Sequence, residues 1–265
     1  MGNQLGIIAG SGEFPFLVLK EAQKSGYTCV AAGIRGQAGG DLAQKAEVFE
    51  WFDAEEILNL ISFFRSRGVD EAVFAGKVDH RIIYKIRQSH LPVDLSWKNK
   101  TPTSVVKSVI DFLSQKGIEV KDPMSFLSST LCREGIMTKT EPSQAVKEDI
   151  AFGWKIGKNI ADLDIGQAVV VKDKAVVAVE GMEGTDEAIR RGSQLAGDGT
   201  VVVKVVRSHQ DSRIDLPAIG LHTVKSLVEA KSRALCFEAR RMPFFQREEA
   251  VSLADRHGIV MVAKR

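Results

Sequence analysis

What most constrains this chain is the way short apolar runs and amphipathic stretches take turns through its first half. Leu5–Ala9 (LGIIA) reads as a buried strand, Phe16–Lys24 carries apolar residues at helical spacing, and Tyr27–Ile34 (YTCVAAGI) reads as a second strand. Asp53–Arg67 opens with an N-cap Asp and an acidic first turn, stops before Gly68 and hands over to a strand at Ala72–Ala75. Thr103–Lys116 repeats that design between a Thr101-Pro102-Thr103 start and a Gly117 stop, ahead of a short strand at Ile118–Val120. Strands alternating with helices predict a parallel sheet with helices on both faces.

The second half has another texture. CREGIMTKTEPSQ, from Cys132 to Gln144, lacks periodicity and reads as a linker over residues 133–142. A long helix is expected at Ser143–Ala161. Two β-branched runs, Gln167–Val171 and Ala175–Val179, then flank Lys172-Asp173-Lys174 as a tight hairpin. Helices at Asp186–Leu195, near His222–Lys231 and at Glu248–His257 alternate with strands at Val201–Val206, Ala234–Glu238 and Ile259–Val262. With 265 residues, about two domains are expected. They are a Rossmann-like domain over residues 1–132 and an α/β domain over residues 143–265.

Composition closes off several classes. At 44% hydrophobic and 26% charged the chain is globular, and 36 Lys and Arg against 34 Asp and Glu leave +2, without the basic stripe of a nucleic-acid binder. Trp51, Trp97 and Trp154 stand apart from any basic–aromatic platform. No apolar run reaches the ~18 residues of a membrane span, and MGNQLGIIAG lacks the features of a signal peptide, so a cytoplasmic chain is expected. Cys29, Cys132 and Cys236 are scattered singly and read as core thiols. His80, His90, His209, His222 and His257 show no zinc spacing, and no GxSxG elbow is present.

Several segments combine residue types that carry chemistry. Gly10-Ser11-Gly12-Glu13-Phe14-Pro15 joins a strand to a helix, the context in which backbone N–H groups can cradle a phosphate, and it reads equally as a plain turn. Arg35, where a ribose-binding acid would stand in an NAD enzyme, suits a phosphate instead. Lys77 follows a strand and is a candidate anion contact, while Arg81, Lys85 and Arg87 read as a solvated face. Glu180, Glu183 and Asp186 lie on one glycine-flexed loop, where they serve either a metal or the cap of the next helix. His209–Gly220 (HQDSRIDLPAIG) alternates acids and bases before a Pro-Gly close. Carboxylates suit a hard cation, and Lys204 and Arg213 suit phosphoryl oxygens; a salt-bridge network is the other reading.

Taken together, LGIIAGSGEFP, AVFAGKV, GQAVVVKDKAVVAVEGMEGTDEAIRR and VVKVVRSHQDSRIDLPAIGLHTV resemble, from end to end, the bacterial UDP-2,3-diacylglucosamine pyrophosphatases of the LpxI type. The resemblance implies a metal-dependent hydrolase of lipid A biosynthesis that yields UMP and 2,3-diacylglucosamine 1-phosphate (lipid X). It also implies a Rossmann-like N-terminal domain, a C-terminal α/β domain of unusual fold, and substrate held between them. The pattern QDxRxDLPxIG falls on Gln210, Asp211, Arg213, Asp215, Leu216, Pro217, Ile219 and Gly220, and EGxEGTD on Glu180, Glu183, Thr185 and Asp186. Lys204, Gly10, Gly12 and Lys77 match as well.

On that basis Asp215, Asp211, Arg213 and Lys204 are the expected catalytic residues, with Asp215 favoured because Pro217 and the following helix fix its backbone. Gly10, Gly12, Lys77, Gln210, Thr185 and His222 are the expected substrate contacts. Asp215, Asp211, Glu183 and Asp186 are the expected ligands of Mg2+ or Mn2+, with water attacking a phosphorus and no covalent intermediate. The chain departs from the family at Asn99-Lys100-Thr101-Pro102, where an acidic Gly-Asp-Asp segment is expected, and at Leu221-His222, where Pro-Arg is expected. Expected partners are a lipid–nucleotide substrate, the inner membrane surface by peripheral contact, and a second copy of the chain. An NADP-dependent oxidoreductase and a nucleotide-sugar or lipid binding protein without turnover are the alternatives.

Overall fold

The computed structural model describes residues 3–78 and 102–265. The basic run Arg81, Lys85 and Arg87 and the Asn99–Thr101 departure lie outside the described residues. The chain divides into two compact units, one of residues 1–127 with Asp211–Asp215, the other of residues 128–210 and 216–265.

The first unit holds a five-stranded sheet of order β3-β2-β1-β4-β5. Its strands are β1 (Gln4–Ala9), β2 (Thr28–Ile34), β3 (Val48–Phe52), β4 (Glu71–Ala75) and β5 (Glu119–Val120), and every pairing is parallel. The helices are α1 (Phe14–Lys24), α2 (Leu42–Lys45), α3 (Ile57–Arg65) and α4 (Pro102–Gln115). Parallel strands are covered on both sides, which is why β1 and β2 are almost wholly apolar instead of alternating. Phe63 and Phe64 of α3 and Ile110 and Leu113 of α4 share one core with Ile8, Val30 and Ala32. Strand order reverses between β1 and β4, and the crevice at their carboxyl ends is where such sheets bind ligands.

The second unit holds a six-stranded sheet of order β6-β11-β10-β9-β7-β8. Here β6 is Gly135–Ile136, β7 Ala168–Lys172, β8 Ala175–Val179, β9 Val201–Lys204, β10 Ala234–Glu238 and β11 Val260–Lys264. The central β9, β10 and β11 are parallel, while β6, β7 and β8 run antiparallel to their neighbours. Helix α5 (Gln144–Asp162) packs its Val146, Ile150 and Ala161 on one face, with Val169, Val171, Val201 and Val203. Helices α6 (Thr185–Ala196), α7 (Leu221–Glu229) and α8 (Arg247–Arg256) cover the other. A Cβ at Gly153 of α5 would stand 2.8 Å from a methyl of Val203, so only glycine lets α5 lie this close to β9.

Two expectations need correction. Residues 133–142 are no linker, because β6 pairs with β11, the Met137 N–H donates to the Met261 carbonyl at 2.8 Å, and the Met261 N–H donates to Thr138 Oγ1 at 3.0 Å. The hairpin turn is two residues, Asp173 and Lys174, both at positive φ, with Lys172 inside the ladder. The turn is held from outside by buried Asp149 of α5, whose carboxylate accepts from the N–H groups of Asp173 (3.2 Å) and Lys174 (2.7 Å). All three cysteines are buried free thiols. Among the described residues, no helix is long and apolar enough to cross a membrane.

Candidate active site

In the first unit the loops after β1 and β4 are zipped together at the switch point. The Gly10 N–H donates to the Ala75 carbonyl (2.7 Å), the Ser11 N–H to the Lys77 carbonyl (2.7 Å) and the Lys77 N–H back to the Ser11 carbonyl (3.0 Å). A Cβ on Gly10 would overlap the Lys77 carbonyl oxygen, and one on Gly76 would stand 2.6 Å from the Ser11 oxygen. The glycine at position 10 is therefore required by backbone meeting backbone. The amides of Gly10 and Ser11, which a phosphate cradle would use, are taken up by carbonyls. Gly12 is exposed at φ +89 and Lys77 is exposed beside it on the same crevice. Arg35 donates to the Trp51 carbonyl and lies 3.5 Å from Asp53, so its charge is already engaged.

The segment Asp211–Asp215 belongs to this unit although the chain on either side belongs to the other. It forms a tight turn, with the N–H groups of Ile214 (3.0 Å) and Asp215 (3.3 Å) donating to the Asp211 carbonyl, and Ile214 packs against the core of α3 and α4. Arg213 grips Asp211 with two parallel bonds, Nε to Oδ1 at 2.9 Å and Nη2 to Oδ2 at 2.7 Å. The guanidinium holds the Asp211 carboxyl below the usual carboxylate range, with Lys107 adding to the effect. Asp211 in turn raises the Arg213 pKa. Asp215 is the exposed acid of the segment, and Gln210 just before it is partly buried.

In the second unit the acids of the Glu180–Asp186 loop have separate partners. Glu180 accepts from the Gln167 N–H (3.0 Å) and the Thr185 hydroxyl (2.8 Å), tying the loop to the start of β7. Glu183 accepts from Arg191 (2.6 Å) and the Gly181 N–H (3.0 Å), and Arg191 with these bonds lowers its pKa. Asp186 accepts from the Ser226 hydroxyl (2.8 Å) and lies 3.2 Å from Nε2 of His222, whose side chain is 83% exposed. Thr185 begins α6, and its hydroxyl fastens the loop. Among the described residues no three His, Cys, Asp or Glu side chains gather as metal ligands.

Lys204, the last residue of β9, is 9% exposed and donates to the Ala218 carbonyl at 2.9 Å. Its ammonium pins the descending arm of the candidate segment. Beside it stands a group the motifs did not reveal. Glu238, closing β10, is 6% exposed and accepts from the Val206 N–H (2.9 Å), Lys158 Nζ (3.1 Å) and Arg241 Nη1 (2.9 Å). The signal was present, since an acid ends the otherwise apolar strand ALCFE at the centre of a parallel sheet.

A parallel sheet with one reversal of strand order and a second, mixed α/β sheet define a two-domain α/β protein. The LpxI N-terminal domain family matches residues 4–130 and the LpxI C-terminal domain family residues 133–262, and the chain belongs to the LpxI family. It is 27% identical over 274 aligned residues, 98% of this chain and 96% of the relative, to the UDP-2,3-diacylglucosamine pyrophosphatase LpxI of Caulobacter vibrioides. Among solved structures it is similar to a glycinamide-RNase-transformylase T from Mycobacterium tuberculosis (12% identity, 67% of this chain and 44% of that one, TM-score 0.28). It is also similar to the biotin carboxylase domain of the Hydrogenobacter thermophilus 2-oxoglutarate carboxylase (11%, 74% and 41%, TM-score 0.31). Nothing functional rests on those two.

Proposed function

We propose that this chain hydrolyses the diphosphate of UDP-2,3-diacylglucosamine to UMP and 2,3-diacylglucosamine 1-phosphate, a step of lipid A biosynthesis. The observation that carries this reading is the end-to-end relationship to the Caulobacter enzyme together with both LpxI domains. Water adds to one phosphorus and gives up a proton to solvent through Asp215, the bridging P–O bond breaks, and its electron pair leaves with the departing phosphate. Asp215 orients the attacking water as a hydrogen-bond acceptor, its exposure giving solvent access. Arg213, held by Asp211 yet 37% exposed, faces the phosphoryl oxygens, and Lys77 offers a further cation. Asp211 orients Arg213.

A divalent ion, Mg2+ or Mn2+, would neutralise charge on the diphosphate when bound. The two acyl chains place the substrate at the inner membrane surface, so peripheral membrane contact is part of the same reading, read by vesicle co-sedimentation. The deciding experiment incubates the purified chain with UDP-2,3-diacylglucosamine, with magnesium, with manganese and with EDTA, and measures UMP. Absence of UMP in every arm refutes the reading. A binding role without turnover is the second reading, favoured by the ion pairs Asp211–Arg213 and Glu183–Arg191. Its signature is UDP-sugar binding that is indifferent to magnesium.

A further inference from the structure

Most large apolar side chains of the second unit are buried, and the exceptions are not spread evenly. Met182 is 81% exposed, Leu163 70% and Ile165 51%, and all three stand on two loops at one end of the β7–β8 hairpin. The loops are neighbours because the chain entering the hairpin and the chain leaving it run side by side. The Glu180 N–H donates to the Ala168 carbonyl (2.9 Å), the Gln167 N–H donates to Glu180 Oε2 (3.0 Å), and a Cβ on Gly166 would overlap the Glu180 carbonyl oxygen. Ile165 is one residue from this meeting point and Met182 two residues from it.

Neither loop is frayed. Helix α5 closes with the paired bonds of a left-handed C-cap, Asp164 at φ +59 donating its N–H to the Ala161 carbonyl (3.0 Å) and the Ile165 N–H donating to the Ile160 carbonyl (3.1 Å). In that motif the residue at position 165 ordinarily packs back on its own helix, yet half of Ile165 faces solvent, with Leu163 beside it in the chain. Met182 is at the tip of a turn closed by the Gly184 N–H on the Gly181 carbonyl (3.3 Å), and its neighbour Glu183 is anchored to Arg191. The backbone thus holds three long apolar side chains out in water, at a cost in hydration that polar residues at the same positions would not carry. The acids of these loops are engaged: Asp162 accepts from the N–H (2.7 Å) and hydroxyl (2.8 Å) of Ser208, Asp164 lies 2.6 Å from Arg207, and Glu180 and Glu183 hold the partners described above. No bare carboxylate therefore has to be stripped of water when the tips meet an apolar phase.

We infer that Leu163, Ile165 and Met182 form an insertion tip through which the second unit docks on a lipid bilayer. The choice of a bilayer rests on the reading of the substrate as a diacylated lipid, and the size of the patch favours it. Three side chains expose a few hundred Å2, well short of the about 800 Å2 that each partner of a stable protein complex buries. A bilayer needs no matching surface, since apolar groups sink roughly 5–10 Å to the boundary of headgroups and acyl chains. An anchor of this size is no stronger than a single acyl chain, so docking is reversible. Driven by apolar burial, with the acids of its rim already partnered, it is insensitive to salt.

The test is co-sedimentation of the full chain with vesicles of phosphatidylethanolamine and phosphatidylglycerol, without substrate, for the wild type, Leu163→Gln, Met182→Gln and a triple variant that adds Ile165→Gln. The vesicle partition coefficient is expected to fall about tenfold in each single variant and about a hundredfold or more in the triple, and to stay within about twofold between low and high salt. An environment-sensitive fluorophore on Met182→Cys, where the three native thiols are buried and do not compete, should shift to the blue when vesicles are added. The same label on Leu195→Cys, near the other end of α6, should not shift. No turnover is read, so a chain that releases no UMP refutes the proposed function while vesicle binding still reads the tip. A wild type that does not sediment with vesicles, a triple variant that binds like the wild type, binding abolished by salt, or a label at position 182 that shifts with protein concentration alone overturns the inference. If the triple variant does not fold, the label at position 182 decides.

Discussion

Replacing Gly10 by alanine tests whether that glycine serves backbone packing or a phosphate. The new methyl would stand 2.9 Å from the Lys77 carbonyl carbon and 3.1 Å from that of Gly76, inside the 3.4 Å at which ordinary contact begins, and would overlap the Lys77 oxygen. The obstacle is backbone, so the two loops must part by about 1 Å, enough to break two of the three bonds that zip them. Two lost bonds cost about 1–3 kcal/mol, overpacking adds about 1–3, and the stiffer unfolded chain returns up to about 1. The net is about 1–6 kcal/mol, a fall of about 0.5–3 M in the urea midpoint for an m-value near 2 kcal/mol/M. Gly76→Ala should fall as far. Gly12→Ala, with no atom within 4 Å, should lose only the roughly 1 kcal/mol of a left-handed position. A Gly10→Ala protein with a wild-type urea midpoint and a raised KM would refute the packing argument and restore the phosphate cradle.

Other outcomes follow from the same geometry. Asp149→Ala should leave the amides of Asp173 and Lys174 without their acceptor and lower stability by about 2–3 kcal/mol, seen in urea unfolding; a change below ~0.5 would show the turn is self-sufficient. Burial pushes the thiols of Cys29 and Cys236 up to about 12 and raises that of Cys132, so a thiol reagent at pH 8 should label none of the three before unfolding and all three after it. Arg213 depresses the Asp211 pKa, so the pair's contribution is complete above the ordinary carboxylate pKa near 4 and is lost as pH falls through the lower folded value. Thermal melts of Asp211→Asn should therefore lie below wild type at neutral pH and converge with it in acid. A gap independent of pH would contradict the pairing.

Much of the fold could be read directly. The first unit's parallel sheet follows from apolar runs such as LGIIA and YTCVAAGI, because strands covered on both faces cannot alternate. The β7–β8 hairpin follows from β-branched runs about a charged turn. What escaped was decided by partners far along the chain. β6 is two residues, too short for any period, and becomes a strand because β11 offers an edge. No local pattern says which core Ile214 will join, so the passage of Asp211–Asp215 into the first unit was invisible. At the site, the residue types were legible and their pairings were not. Glu183 could have faced a metal or Arg191, and only the fold of the loop chooses Arg191.

The most direct measurement of the central claim is UMP release from UDP-2,3-diacylglucosamine by the wild-type chain and by Asp215→Asn, at saturating substrate and magnesium. The account predicts UMP from the wild type and a fall of about a hundredfold or more in kcat for the folded variant. Wild-type turnover in Asp215→Asn would contradict the placing of the reaction on this segment, and no UMP from either protein would contradict hydrolysis itself.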